Sequence, residues 1–246
     1  MSAVRHVLGL VVEGPSDAHT VPVLTDRVLV REVPLREKDL DGLRAFRGLD
    51  ANTSFLPWSA VDDQARRHPV PRRHGHFGEE PAIEDAHTAV LALRCFVSQD
   101  PQPVAVILVR DSDGKQGARV RGLEQARQDG AWPFAVVIGV AHTMRECWVL
   151  AGFTPHTRRE KEALAALRLG FSPTEHSERL DASHETAKKS PKRVLRDLTR
   201  GDREREAQCW TDADLQVLRA RGGENGLSAF LDEVTEKLAP IFAGRA

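Results

Sequence analysis

The chain has 246 residues, of which 41% are hydrophobic, and is therefore long enough to bury one sizeable core. Its 35 Lys and Arg residues nearly cancel its 36 Asp and Glu residues, so the formal net charge of −1 excludes a uniformly basic nucleic-acid-binding chain and a simple acidic tail. Three scattered cysteines without CxxC spacing disfavour a disulfide framework and a zinc site and are typical of a reducing cytoplasm, and the absence of tyrosine excludes a tyrosyl nucleophile.

Predicted strands and helices alternate over the first part of the chain. Three near-continuous apolar runs, each flanked by turn or charged residues, are typical of strands buried on both faces of a parallel sheet. They cover 7–12, 104–109 and 134–140, with a weaker β-branched run at 28–34. Apolar residues at the helical period predict helices over 18–30, 83–97 and 119–127. The first run is interpreted as a strand and not as a signal peptide, and no run reaches the roughly 20 residues of a membrane-spanning helix.

This alternation predicts an α/β fold with a mostly parallel sheet flanked by helices. Residues 36–82 interrupt it with prolines and no sustained period, which indicates a long insertion. After the last strand the pattern is helical, with predicted helices at 146–151, 160–169, 191–199, 212–221 and 227–242. We therefore expect an α/β domain over 1–152, with its insertion at about 36–82, and a C-terminal α-helical region over 153–246.

The first candidate motif, Glu13-Gly14-Pro15-Ser16-Asp17, follows the first predicted strand. Ligands of open parallel sheets gather at the carboxyl ends of strands, so this position favours a site. Glu13 and Asp17 are four residues apart across a turn into a helix, and both carboxylates can face one point. The alternative is structural: Ser16 or Asp17 caps the helix, and Glu13 only ends the strand.

The second candidate motif is Asp111-Ser112-Asp113-Gly114, after the strand predicted at 104–109. Two aspartates at a strand end place hard oxygen ligands close together, which suits Mg²⁺ or Mn²⁺. The structural alternative is an ordinary Asp/Gly turn. A phosphatase with Asp111 as nucleophile is disfavoured, because the Thr or Val expected two places after Asp113 is Lys115.

Together, the two motifs resemble the Toprim domain, the fold shared by topoisomerases, primases, recombination mediators and OLD-type nucleases. The resemblance rests on Glu13, Asp111 and Asp113 in their strand contexts and covers roughly residues 4–149. Asp17 extends the first motif to Glu-x-x-x-Asp, which resembles the nuclease branch, where both carboxylates bind metal. Glu146, which precedes an apolar-aromatic stretch, is similar to a feature of uncharacterised bacterial Toprim-like, OLD-nuclease-related proteins. Those proteins also have a helical tail with a Pro-Lys pair, found here at 191–192.

The resemblance implies a Toprim-like, Rossmannoid sheet and a nuclease that depends on Mg²⁺ or Mn²⁺ and acts on DNA or RNA. It also implies a separately encoded ATPase as partner, in a defence or repair system, because this chain has no GxxxxGK[ST] motif of its own. The implied catalytic residues are Glu13, Asp111, Asp113 and Glu146. The implied metal ligands are Glu13, Asp17, Asp111 and Asp113.

Several alternatives stay open. Cleavage of a phosphodiester needs an activated water and a neutralised leaving oxyanion, which divalent ions held by carboxylates supply. Glu13 is either a metal ligand or a general acid or base. Without tyrosine the chain is no tyrosine topoisomerase, and without a cysteine cluster it lacks the zinc module of primases. A non-catalytic Toprim-fold binding or regulatory subunit is the second hypothesis.

Positive charge is concentrated locally in two segments. The denser one lies in the predicted helical tail and supplies candidate phosphate contacts at Lys188, Lys189, Lys192, Arg193 and Arg196. The alternative is a solvated helix face. The other is the Arg- and His-rich segment 66–76, whose His68, His74 and His76 suggest a metal site, although no carboxylate or cysteine completes a recognised spacing.

Overall fold

The computed structural model describes residues 5–34, 37–68, 70, 76–77, 80–81, 83–182 and 184–244. Its strands are β1 (His6–Val12), β2 (Arg44–Arg47), β3 (Leu56–Pro57), β4 (His76–Phe77), β5 (Glu80–Pro81), β6 (Ala105–Asp111) and β7 (Ala135–Ala141). Its helices are α1 (Pro15–Glu32), α2 (Glu37–Leu43), α3 (Val61–Arg67), α4 (Ala86–Val97), α5 (Gln116–Gln128), α6 (Arg145–Gly152), α7 (Arg158–Ala166), α8 (Pro191–Thr199), α9 (Arg203–Thr211), α10 (Leu215–Arg221), α11 (Leu227–Lys237) and α12 (Ala239–Phe242). Short 3₁₀ turns lie at Trp58–Ala60 and Ser177–Arg179.

The central strand of the main sheet is β1. β2 runs parallel to its first half, β3 runs parallel to its last two residues on the same side, and β6 runs parallel to it on the other side. β7 follows β6, so the strand order is β2-β1-β6-β7. The side chains of β1, β6 and β7 are buried along most of their length, as the apolar runs predict. The α/β class, with a mostly parallel sheet flanked by helices and a helical C-terminal part, is confirmed.

The strand predicted at 28–34 is wrong, because residues 28–32 form the last part of α1 and Val33 is its C-cap. Val21, Leu24, Val28 and Leu29 are buried at the helical spacing of three and four residues, so the period outweighs the β-branched composition. The predicted insertion at 36–82 is also only partly irregular, since β2 and β3 lie within it and belong to the main sheet. Both strands are short, and β2 has an arginine at each end, which conceals any apolar pattern.

The C-terminal helices include one that was predicted correctly and one that was missed. The helix predicted at 191–199 is confirmed at both ends: Pro191 is its first residue, and the Ser190 hydroxyl accepts the Arg193 N–H. Helix α9 was not predicted, since only Cys209 and Trp210 are buried along it, too few for a visible period.

In the segment 66–76, residues 69 and 71–75, including His74, lie outside the described residues, and so does the His76 side chain. The proposed role of that segment stays a prediction.

The chain forms two compact units. The sheet unit comprises Met1–Arg110, Gly117–Gly139 and Asp232–Ala246, and the helical unit comprises Asp111–Gln116 and Val140–Leu231. The linear division near residue 152 stays a prediction. Among the described helices, none combines the length and apolarity needed to cross a membrane.

The helical unit has its own core. The rings of Trp148 and Phe230 stack with centroids 5.2 Å apart, and both side chains are buried. Fully buried Asn225 joins the surrounding helices: its backbone carbonyl accepts the Trp148 indole N–H at 2.9 Å, and its side-chain amide donates to the Ser177 hydroxyl at 2.8 Å. A buried amide with satisfied hydrogen bonds holds these elements in one arrangement.

Candidate functional site

Glu13 directly follows β1, and its carboxylate faces an arginine of the sheet unit. Its Oε1 lies 2.7 Å from the guanidinium of Arg110, near the end of β6. Glu13 keeps 33% of its side-chain surface exposed and Arg110 keeps 21%. Because β1 and β6 are parallel neighbours, their ends lie at the same edge of the sheet. The Glu13 carboxylate of the first motif therefore forms an ion pair with an arginine of the neighbouring strand.

Arg110 is positioned by the residues around it. Its guanidinium lies 5.3 Å from the ring centroid of Trp58, whose indole N–H donates to a backbone carbonyl of β6 at 2.6 Å. Its Nε lies 3.5 Å from a carboxylate oxygen of Asp85. Asp85 in turn forms an ion pair with Arg119 of α5, and both of those side chains are almost buried. Acids and arginines thus alternate along a chain of ion pairs, and their formal charges cancel. The chain runs Glu13, Arg110, Asp85, Arg119.

Asp17 lies at the third position of α1. It is 6% exposed, and its Oδ2 accepts the backbone N–H of Gly14 at 3.2 Å. This contact stabilises the first turn of the helix, where backbone N–H groups lack partners within the helix. The structural interpretation of Asp17 is therefore realised, although the capping position itself is Gly14 and not Ser16.

The second motif belongs to the helical unit, where it forms a turn. Asp111 Oδ1 accepts the N–H of Arg145, the first residue of α6, at 2.9 Å. It thereby acts as a cap for α6, since Met144, which precedes the helix, offers no side-chain cap. Asp113 is exposed with φ = 47°, and Gly114 follows with φ = 82°, so the turn passes through the left-handed region. A backbone contact therefore orients the Asp111 carboxylate, and Asp113 lies at the surface of the turn.

Glu146, in the first turn of α6, is close to a second arginine. The Arg145 guanidinium lies 3.6 Å from Glu146 Oε1 and 2.7 Å from Glu206 Oε1 of α9. It also lies 5.7 Å from the ring centroid of Trp210. With 7% of its side chain exposed, Arg145 is almost buried. Arg145 therefore pairs with two acids, Glu146 of its own helix and Glu206 of α9.

A serine and a histidine beside the second motif form a short hydrogen bond. The Oγ of buried Ser112 lies 2.8 Å from the Nδ1 of His142, at the end of β7. Burial lowers the pKa of His142 below its ordinary value, against the opposing effect of the Glu178 charge. The imidazole is therefore neutral at neutral pH and offers a proton acceptor in the helical unit.

The predicted site residues are divided between the two units. Glu13 and Asp17 lie in the sheet unit, while Asp111, Asp113 and Glu146 lie in the helical unit. Carboxylate oxygens are the donors that Mg²⁺ and Mn²⁺ prefer, so the chemistry of these residues fits the ion. Within the described part of the chain, no group of three His, Cys, Asp or Glu side chains is arranged to hold a metal. The metal site stays a prediction.

No family model, no curated protein and no solved structure matches the chain. The Toprim resemblance accordingly stays a prediction.

The predicted nucleic-acid-binding residues are at the surface of the helical unit, and several have local partners. Lys192 lies 3.4 Å from Glu185, and Arg193 lies 3.5 Å from Asp197. The others are Lys188, which donates to a backbone carbonyl at 2.7 Å, Lys189, 5.9 Å from an aromatic centroid, and Arg196. Exposed ion pairs of this kind contribute little to stability.

Sequence reasoning missed the groups that hold the acids. Arg110 and Arg145 each stand beside a predicted carboxylate in the sequence, and that adjacency is the signal that could have identified them. Asp85 and Glu206 lie far from either motif along the chain, with no local pattern to mark them.

Proposed function

We propose that this protein is a metal-dependent phosphodiester hydrolase that acts on nucleic acid. The observation that supports it is the strand order. After β1 the chain adds β2 and β3 on one side of that strand and then β6 and β7 on the other. Ligands of open α/β sheets bind beyond the carboxyl ends of the strands at such a reversal. The two carboxylate motifs follow β1 and β6, the strands on either side of it.

In this proposal the chain's own residues orient the carboxylates. The Arg145 N–H holds Asp111, and the left-handed turn presents Asp113 to solvent. Arg110 restrains the rotamer of Glu13 and leaves a third of its surface open to a substrate or to water. A divalent ion bound by Asp111 and Asp113 would activate a water molecule and neutralise the leaving oxygen. Asp17 and Glu146 complete the proposed set of acidic residues.

A specific contact favours the second candidate function, a non-catalytic binding or regulatory subunit. The Glu13 carboxylate already has a cation at 2.7 Å, in Arg110. An arginine that neutralises a carboxylate competes with a metal ion for it and weakens it as a base. The hydrolase therefore requires Arg110 to release Glu13, or to bind a substrate phosphate itself.

The decisive experiment is a nicking assay with the purified protein, plasmid DNA or RNA, and Mn²⁺. We expect cleavage by the wild type and its loss in Glu13→Gln and in Asp111→Asn/Asp113→Asn. Glu236→Gln removes one exposed acid from α11 and should cleave as the wild type does. If the wild type is inactive on both DNA and RNA, even with a co-expressed ATPase, the binding-subunit function is favoured.

Metal binding is tested separately from turnover. A ligand that binds only the folded state raises stability by about 2.7 kcal/mol at one hundred times its dissociation constant. We expect Mg²⁺ or Mn²⁺ to raise the melting temperature of the wild type and of Glu236→Gln, and to raise that of Asp111→Asn/Asp113→Asn much less. The asparagines preserve the capping of α6, so the variant should remain folded. Equal shifts in all three proteins would place the metal elsewhere.

A further inference from the structure

A groove in the helical unit is lined by four arginines that no predicted role uses. Its volume is about 790 Å³, and its walls are the first turns of α7 and α9 and the last turn of α8. This volume lies within the range of roughly 300–1,000 Å³ that is common for ligand sites. We call it the arginine groove, after Arg158, Arg159, Arg200 and Arg205.

The acids of the arginine groove are already engaged by the protein. Glu160 accepts a hydrogen bond from Arg205 at 2.6 Å, and both side chains are largely buried. Burial alone would raise the pKa of Glu160. The hydrogen bond from Arg205 and the backbone N–H donors at the start of α7 lower it by more, so the pKa of Glu160 lies below its ordinary value. Asp202 accepts the N–H groups of Glu204 and Arg205 at 2.9 and 3.2 Å. Asp197 lies 3.5 Å from Arg193.

Two of the four arginines supply uncompensated charge. Arg159 and Arg200 are exposed, and within the described chain no acidic side chain lies at ion-pair distance from either. Arg158 pairs with Glu162, and because these side chains are 93% and 63% exposed the contact is weak. A concave surface with free guanidinium groups favours an anion. The planar fork of the guanidinium fits the oxygens of a phosphate in particular.

A row of basic residues leads along α8 to this groove. Lys192, Arg196 and Arg200 follow one another at intervals of four residues, and all three are exposed. Lys192 and Arg196 lie on the same face of α8, about 6 Å apart along the helix axis, and Arg200 directly follows the last residue of the helix with φ = 61°. A single nucleotide would occupy the groove alone, whereas a strand would place further phosphates along the row.

We propose that the arginine groove is a phosphate-binding site that takes the backbone of a nucleic-acid strand. The preference for phosphate rests on the groove itself, and the choice of a polynucleotide rests on the proposed function. The interaction depends on charge and guanidinium geometry, without contacts that identify bases. Binding is therefore independent of sequence and weakens with salt.

The test is fluorescence anisotropy of a labelled single-stranded oligonucleotide, titrated with the full-length protein in EDTA so that no cleavage occurs. Arg159→Ala/Arg200→Ala should weaken binding by about a hundredfold or more, because two charge-assisted contacts of roughly 1.5 kcal/mol or more each are lost and about 1.4 kcal/mol is a factor of ten. The slope of log affinity against log salt should fall by about 1.4, from about 0.7 per lost contact. Arg159→Lys/Arg200→Lys keeps the charge without the fork and should lie between the two.

The matched control is Arg31→Ala/Arg121→Ala, which removes the same charge from exposed arginines of the sheet unit. An equal loss in the control would reduce the effect to net charge and overturn the proposal. If ATP binds in a manner that needs Arg159 and Arg200 while the oligonucleotide is unaffected by their loss, the groove takes a free nucleotide and the polynucleotide is overturned. Oligonucleotide binding that needs the groove, in a protein that never cleaves, would refute the hydrolase and leave the groove assignment intact.

Discussion

An alanine at position 122 would place its methyl carbon 2.1 Å from the carbonyl oxygen of Glu84. Gly122 lies on α5, and its missing side chain lets the helix approach the turn that precedes α4. The same turn carries Asp85, whose carboxylate pairs with Arg119, also on α5. Gly122→Ala therefore tests whether this close approach supports the ion pairs that link Arg119, Asp85 and Arg110 to Glu13.

The magnitude follows from two opposing effects. Alanine in place of glycine stabilises a helix by roughly 0.5–1 kcal/mol. Relieving the overlap requires a movement of more than an ångström, since ordinary contacts begin at 3.4 Å. Overpacking of that kind costs about 1–3 kcal/mol, and it costs more if the buried pair of Asp85 and Arg119 is also disturbed. We expect a net loss of about 1–2 kcal/mol or more. At about 2–4 °C per kcal/mol for a chain of this size, the melting temperature falls by several degrees.

Gly117 provides the matched control on the same helix. A methyl group there meets nothing within 4 Å, so Gly117→Ala should leave stability unchanged or raise it by up to about 1 kcal/mol. Urea denaturation and thermal melts of both variants measure the difference. If Gly122→Ala is as stable as Gly117→Ala, then α5 does not approach the turn as described, and the support for Arg110 must come from elsewhere.

Two further predictions concern titratable groups. Burial lowers the pKa of His142 below its ordinary 6.5, so the stability it contributes is complete above pH 6.5 and is lost as the pH falls through the folded value. Urea midpoints of the wild type should decline more steeply below pH 6.5 than those of His142→Gln, and parallel curves would contradict this. Burial raises the pKa of Cys95 to about 11 and those of Cys147 and Cys209 to about 12, so iodoacetamide near neutral pH should label none of them before unfolding and all three after. Labelling of the native protein would show that a thiol is more accessible than its burial implies.

The sequence by itself determined the elements whose signal is local. Continuous apolar runs identify β1, β6 and β7, because a strand buried on both faces must be apolar at successive positions. Ser190 and Pro191 locate the start of α8, since capping involves only neighbouring residues. The positions of Glu13 and Asp111 at strand ends follow from the same runs. Fold class and candidate motifs could therefore be predicted without the structure.

Only the tertiary structure decided what these residues contact. β2 is a strand because β1 offers it backbone hydrogen bonds, although its own four residues include two arginines. Arg110 meets both Glu13 and Asp85, and the arginine groove joins the ends of three helices, through contacts between residues far apart in the chain. Gly117 and Gly122 have the same local helix propensity, yet the sign of an alanine substitution differs because only one of them faces a backbone carbonyl. Such contacts leave no periodic trace in the sequence, since packing brings together side chains that no local rule relates.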